Sequence, residues 1–248
     1  MTASDETAQP RWALTLVRMS LFPTSLLDVR DDALWPQLAG DVPLASDRLQ
    51  LQPAQQRVQS GPAQNGTLQV QVYPHRIDIV LAADGATARP GAPPVIADME
   101  RGLQEAAGLA LRAAGLPGHT LARLAFAIQL LEQYQSARGS LQALGRAVPG
   151  LPIRADDSEV MFQRGREAST GDGAPMVNLV EKWSAATLQM VPMPAFPPST
   201  AEVVPTDVHV LMLDVEANTM AGTPTYKRPE EARAAMSRLI EQARGAFA

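Results

Sequence analysis

The chain contains no cysteine, which excludes disulfides, thiolate nucleophiles and cysteine-based zinc sites together. It has three histidines, His75, His119 and His209, far apart and in no HxxxH or HExxH pair. Histidine-based metal ligation therefore has no local signature. Lysine is nearly missing, because Lys182 and Lys227 are the only two among 21 basic residues. The other cations are scattered arginines, and beside so much alanine and proline this skew reads as genome composition. No stretch approaches the ~20 apolar residues of a membrane span. The opening "MTASDETAQP" is polar and acidic, without the basic region and apolar run of an export signal. A cytoplasmic protein of a cell without organelles is expected, with no membrane contact and no cofactor.

What is present points to a folded chain. Its 248 residues are 46% hydrophobic and 19% charged, enough apolar surface to offset chain entropy. A net charge of −5 disfavours a nucleic-acid surface, which needs clustered positive charge to displace counterions.

Disorder is expected through Pro10. "RWALTLVRMSLF" then reads as a strand, rich in large and β-branched residues. "TSLLDVRDDALWPQLAG" has loosely helical apolar spacing, with Ser25 as cap and Pro36 trimming it. Arg48 to Gln52 alternates as a strand. In "TLQVQV", Leu68, Val70 and Val72 share one face, and after "YPH" Ile77, Ile79 and Leu81 do the same. Period-two alternation with a short connection predicts an antiparallel hairpin with one wet face. A helix is expected from Val95 to Ala114, stopped by Gly115 and Pro117.

From Thr120 the pattern begins again. Leu124, Phe126, Ile128 and Leu130 alternate, and "SARGSLQALGRAV" suggests a short helix. "SEVMFQRG", "MVNLVEKWSAATLQM" and "VHVLMLDVEA" read as three strands, and Pro229 with Glu230 and Glu231 opens a terminal helix. The fold class is thus α+β, mainly antiparallel sheet with helices packed on one face. Two similar β-α-β-β-β-α halves, 11–116 and 117–248, are expected, either separate or as one continuous domain. The opposite face would carry Gln, Arg, Thr and Asp positions, wet or open to a partner.

"LMLDVEANT", Leu211 to Thr219, resembles the opening motif of the DnaQ-like exonucleases. That resemblance implies Asp214 and Glu216 as ligands of two metal ions that activate water. The two acids do share a strand face. The chain departs from the family at Ala217, where the pattern has Thr, and no Asp follows Asp214. The family's later acidic motifs are therefore lacking, and Asp78, Asp156 or Asp157 would have to be recruited from upstream. The competing reading makes this a central strand buried on both sides, with the acids reaching water where it leaves the sheet and His209 hydrogen-bonded in the core. That second reading is preferred, with no metal site.

In "NLVEKWS", Glu181 and Trp183 share a face, and the reading preferred over a titrating catalytic acid is a cross-strand ion pair beside a tryptophan at the core edge. "GDG" at 171–173 lacks a phosphate-loop context and reads as a hairpin turn. "VPMPAFPPSTAEVVP" contains five prolines and favours an extended conformation. Met193, Phe196, Pro197 and Pro198 are its candidate partner-binding residues, offered to a groove at low ordering cost. The function expected is a non-catalytic protein-interaction module: an adaptor, assembly factor or regulatory subunit that binds another protein or itself. The alternatives are a metal-dependent nuclease or phosphoesterase using Asp214 and Glu216, and a small-ligand or peptide-binding protein.

Overall fold

The computed structural model describes residues 12–27, 34–40, 43, 45–51, 54–85, 91–168, 176–191, 205–220 and 225–247. The chain runs β1 (Ala13–Pro23), α1 (Leu34–Ala39), β2 (Ala45–Leu51), β3 (Ala54–Ala63), β4 (Gly66–Tyr73), β5 (Arg76–Ala82), α2 (Met99–Ala114), β6 (Leu121–Tyr134), α3 (Ala137–Ala147), β7 (Val160–Ala168), β8 (Val177–Met190), β9 (Thr206–Thr219) and α4 (Pro229–Gly245). It is an α+β fold. The strands form one sheet in the order β2-β3-β4-β5-β1-β6-β9-β8-β7, and every neighbouring pair is antiparallel. The two leading strands, β1 and β6, lie side by side at its centre.

Alternation explains the strands. Leu68, Val70 and Val72 of β4, Ile77, Ile79 and Leu81 of β5, and Leu124, Phe126, Ile128 and Leu130 of β6 are all buried. They share one core cluster with Leu103, Ala106 and Ala110 of α2 and with Ala235, Met236 and Leu239 of α4. Tyr73 pairs with Arg76, so Pro74 and His75 close the expected tight hairpin. Helix α2 lies close to β1 because residue 102 is glycine. A Cβ there would stand 2.7 Å from Ile96 Cγ2 and 3.1 Å from Leu14 Cδ2. The carboxylate of Glu100 at the start of α2 takes two hydrogen bonds from Arg244 at the end of α4, at 2.7 and 2.8 Å. Arg233, near the start of α4, packs against Gly115 at the end of α2, so the two helices run antiparallel. The α3 residues Leu141 and Leu144 pack with Ala185 of β8 and Leu211 of β9.

Three expectations are corrected. Helix α2 starts at Met99, four residues later than the apolar pattern suggests, because Asp98 is the cap and its side chain accepts the Arg101 N–H at 3.1 Å. The first short helix is confined to Leu34–Ala39 among the described residues. An additional strand, β3, lies between β2 and β4. Its buried positions are Gln56, Arg57, Gln59 and Gly61, so no hydrophobic alternation announces it. The disorder expected through Pro10 and the turn at 171–173 lie outside the described residues.

Candidate functional site

On β9 the odd positions Leu211, Leu213, Val215 and Ala217 are fully buried in the clusters that include α2, α3 and α4. The even positions Met212, Asp214, Glu216 and Asn218 therefore line the other face of the sheet. Register carries that face across the neighbouring strands. Glu216 pairs with Ala127 of β6, and Ala127 pairs with Arg18 of β1. Asp214 faces Gln129 on one side and Lys182 of β8 on the other, while Ser20 of β1 faces Asp78 of β5.

The centre of this face is an ion-pair cluster built over small side chains. Ala127 leaves a gap above β6, through which the Arg18 guanidinium reaches Glu216 Oε2 at 3.2 Å. Arg123, one strand nearer, stands 3.9 Å from Glu216 Oε1 and lies over the Phe22 ring, 5.3 Å from its centre. Asn218 Nδ2 donates to Glu216 Oε1 at 3.0 Å. The side chains of Arg18 and Arg123 are 46% and 37% exposed, so two cations stand in water over one carboxylate. Beside them, Thr15 Oγ1 donates to Gln129 Oε1 at 2.9 Å, and Gln129 Nε2 donates to Asp214 Oδ1 at 2.8 Å. A chain of three side chains thus fixes which way the Asp214 carboxylate points.

A second polar cluster occupies β3, β4 and β5. Gln56 Nε2 donates to the Tyr73 hydroxyl at 2.9 Å, and that hydroxyl donates to Gln71 Oε1 at 2.9 Å. Arg76 lies over the Tyr73 ring at 4.6 Å and pairs with Asp78 Oδ2 at 3.0 Å. Asp78 is buried, and among the described residues its Oδ1 has no hydrogen-bond partner. From β5 to β8 the face carries four cations, Arg76, Arg18, Arg123 and Lys182, against Asp78, Asp214 and Glu216. On a chain of net charge −5 this is a local reversal of sign.

Asp214 and Glu216 do share this face, but Asp214 Oδ1 is held by Gln129 and both Glu216 oxygens are engaged by Asn218 and the two arginines. Among the described residues no group of three or more His, Asp and Glu side chains could hold a metal ion. Asp78 lies three strands from Asp214, and Asp157 is turned to its own loop, where Oδ2 accepts the Arg154 N–H at 2.7 Å. His209 sits on the opposite, core-facing side, its Nδ1 sharing a 2.9 Å hydrogen bond with Thr187. Glu181 is 4% exposed and takes cross-strand contacts from Arg164 at 2.6 Å and Arg166 at 3.3 Å, both on β7. Trp183 is tilted against Trp12 at 5.8 Å. Met193, Phe196, Pro197 and Pro198 lie outside the described residues.

A concavity of about 590 Å³ lies away from these clusters, between α3 and the segment after it, lined by Leu141, Leu151, Ile153, Arg138, Arg154 and Asp157. No helix among the described residues is long and apolar enough to cross a membrane. The chain matches no protein-family model and no curated protein. The sequence alone does not mark Arg18, Arg123 and Gln129 as site residues. Their only signal is polar residues at alternate positions of two apolar strands.

Proposed function

We propose that the chain is a non-catalytic protein-interaction module, an adaptor, assembly factor or regulatory subunit of the cytoplasm. In this reading it is built from two similar halves whose helices cover one face of the shared sheet and leave the other for contact. The matching order of strand, helix, strands and helix on either side of the central β1–β6 pair supports the duplication. The first half would then have gained β3.

The observation that carries the reading is the Arg18–Glu216–Arg123 cluster. Interfaces draw much of their energy from a few arginines and aromatics near the centre of the contact. Arg18 stands near the middle of the sheet, half-exposed, and its guanidinium is oriented by Glu216 before any partner arrives. Orientation in advance lowers the ordering cost of binding. The excess of cations over carboxylates favours a partner that presents acidic groups.

The test is native co-purification of tagged protein from its own organism, with mass spectrometry and sizing of what elutes. A stoichiometric partner, or a second copy, is expected, and Arg18→Ala and Arg123→Ala should each weaken its retention. Deleting Met193 to Pro198 measures the share of the proline-rich segment. A protein that elutes alone and monomeric sinks the proposal. A partner retained equally by both arginine variants moves the contact off this face.

A further inference from the structure

The sheet ends at β7. This strand pairs residue for residue with β8 from Val160↔Ala185 to Ala168↔Val177, with no register shift and no proline. Among the described residues, no loop or helix bonds to its outer backbone groups. An edge strand that is long and regular offers a row of free N–H and C=O groups to any extended chain, and natural edges usually carry a bulge, a proline or an inward charge to prevent it. Here β7 has none of the first two. Its central charges, Arg164 and Arg166, share the single carboxylate of Glu181, which is buried in β8. Their side chains are 56% and 53% exposed, so the middle of the edge keeps an excess of positive charge on one face. Phe162 flanks it on that face, and Met161, 63% exposed, lies on the other.

We infer that β7 accepts an extended acidic segment of a different protein as an added antiparallel strand. Backbone bonding would supply affinity, and carboxylates two residues apart would face Arg164 and Arg166. A second copy fits this edge poorly. The centred antiparallel register sets Arg164 against Arg164, and the register two residues away sets Arg164 against Arg166, and like charges directly opposed destabilise a strand pair. The inference rests on reading the chain as a binding protein, but it uses a surface separate from the Arg18 cluster.

The probe is the capped peptide Val-Thr-Glu-Thr-Glu-Thr-Val, labelled for fluorescence anisotropy. Two relatives serve as controls, one with lysine for both glutamates and one N-methylated at alternate amides. The acidic probe should bind the intact protein and slow amide hydrogen exchange within Val160–Ala168. The lysine probe should bind at least about ten-fold more weakly, and the N-methylated probe should not bind. Arg166→Gln, which leaves Arg164 on Glu181, should narrow the gap between acidic and lysine probes. No binding at millimolar peptide, binding unaffected by N-methylation, or protection located elsewhere would each overturn the inference. An unchanged gap in Arg166→Gln would overturn its charge component. The assay needs no native partner, so it can fail while co-purification through Arg18 succeeds, and the reverse.

Discussion

The Glu181 carboxylate provides a sharp energetic test of how the edge strand β7 is held to β8. It is 4% exposed on β8, and its two cations come from the edge strand β7 at 2.6 and 3.3 Å. Removing one arginine leaves the other in place. Because both side chains are more than half exposed, Arg164→Ala or Arg166→Ala alone should cost about 1 kcal/mol. Removing both leaves a buried charge without a counter-ion, for which breaking a buried pair suggests a cost of about 3–5 kcal/mol. The double variant should therefore lose ~1–3 kcal/mol more than the sum of the singles, a coupling of the size seen between groups in direct contact. Urea unfolding followed by circular dichroism measures this, given an unchanged slope with denaturant. Adding Glu181→Leu to the double variant should restore most of the loss, because an apolar side chain removes the uncompensated charge. Additive singles, together with no recovery on adding Glu181→Leu, would refute the account and return the losses to side-chain packing.

Other outcomes follow from single contacts. Gly66→Ala should destabilise by at least ~2 kcal/mol, because its Cβ would stand 2.2 Å from the backbone oxygen of Ala82 and β4 would have to move; a melting temperature within about 2 °C of wild type would contradict that geometry. Leu213→Ala, at a fully buried position of β9, should cost ~2–5 kcal/mol by urea unfolding. Burial raises the phenol pKa of Tyr134, with the Glu132 carboxylate adding to the effect, and burial likewise raises that of Tyr226, from a usual value of 10.0. The folded state thus holds these protons to higher pH than the unfolded chain does, so the contribution is complete below about pH 10 and is lost as pH rises through the raised values. Stability measured from pH 9 to 11 should fall less steeply in Tyr134→Phe, and an unchanged slope would count against the shift. Titrating Mg²⁺ or Mn²⁺ by calorimetry should give no saturable heat, since two arginines stand over Glu216 and Gln129 holds Asp214 Oδ1; a saturable heat that vanishes in Asp214→Asn would restore the nuclease alternative.

Alternation made much of the sheet legible, and it failed where the sheet is buried by other means. Leu124, Phe126, Ile128 and Leu130 announce β6 because all four are buried in the apolar cluster that includes α2 and α4. Strand β3 stays silent because its buried positions include Arg57 and Gln59, at 5% and 3% exposure, while its one large apolar residue, Val58, pairs with Gln71 on the open face. A period-two rule applied to hydrophobicity has nothing to detect there. The helix starts show the same limit, since Val95 extends the apolar pattern of α2 while the hydrogen bond from Arg101 to Asp98 decides where the helix begins.

The open face was legible only as a list of polar positions, because the chemistry of a sheet surface is set by strand order as well as by sequence. Asp214 and Glu216 look like a ligand pair when "LDVEANT" is read alone. What changes their meaning is that β6 lies next to β9 and β1 lies next to β6. That order brings Arg18, from the first strand of the chain, across Ala127 to a carboxylate on the last. Alternation says which side of a strand a residue occupies and nothing about which strand lies beside it. A local reading therefore finds the two acids and misses the cations over them. Those cations turn a metal-like motif into part of a paired, half-exposed surface with positive charge left facing water.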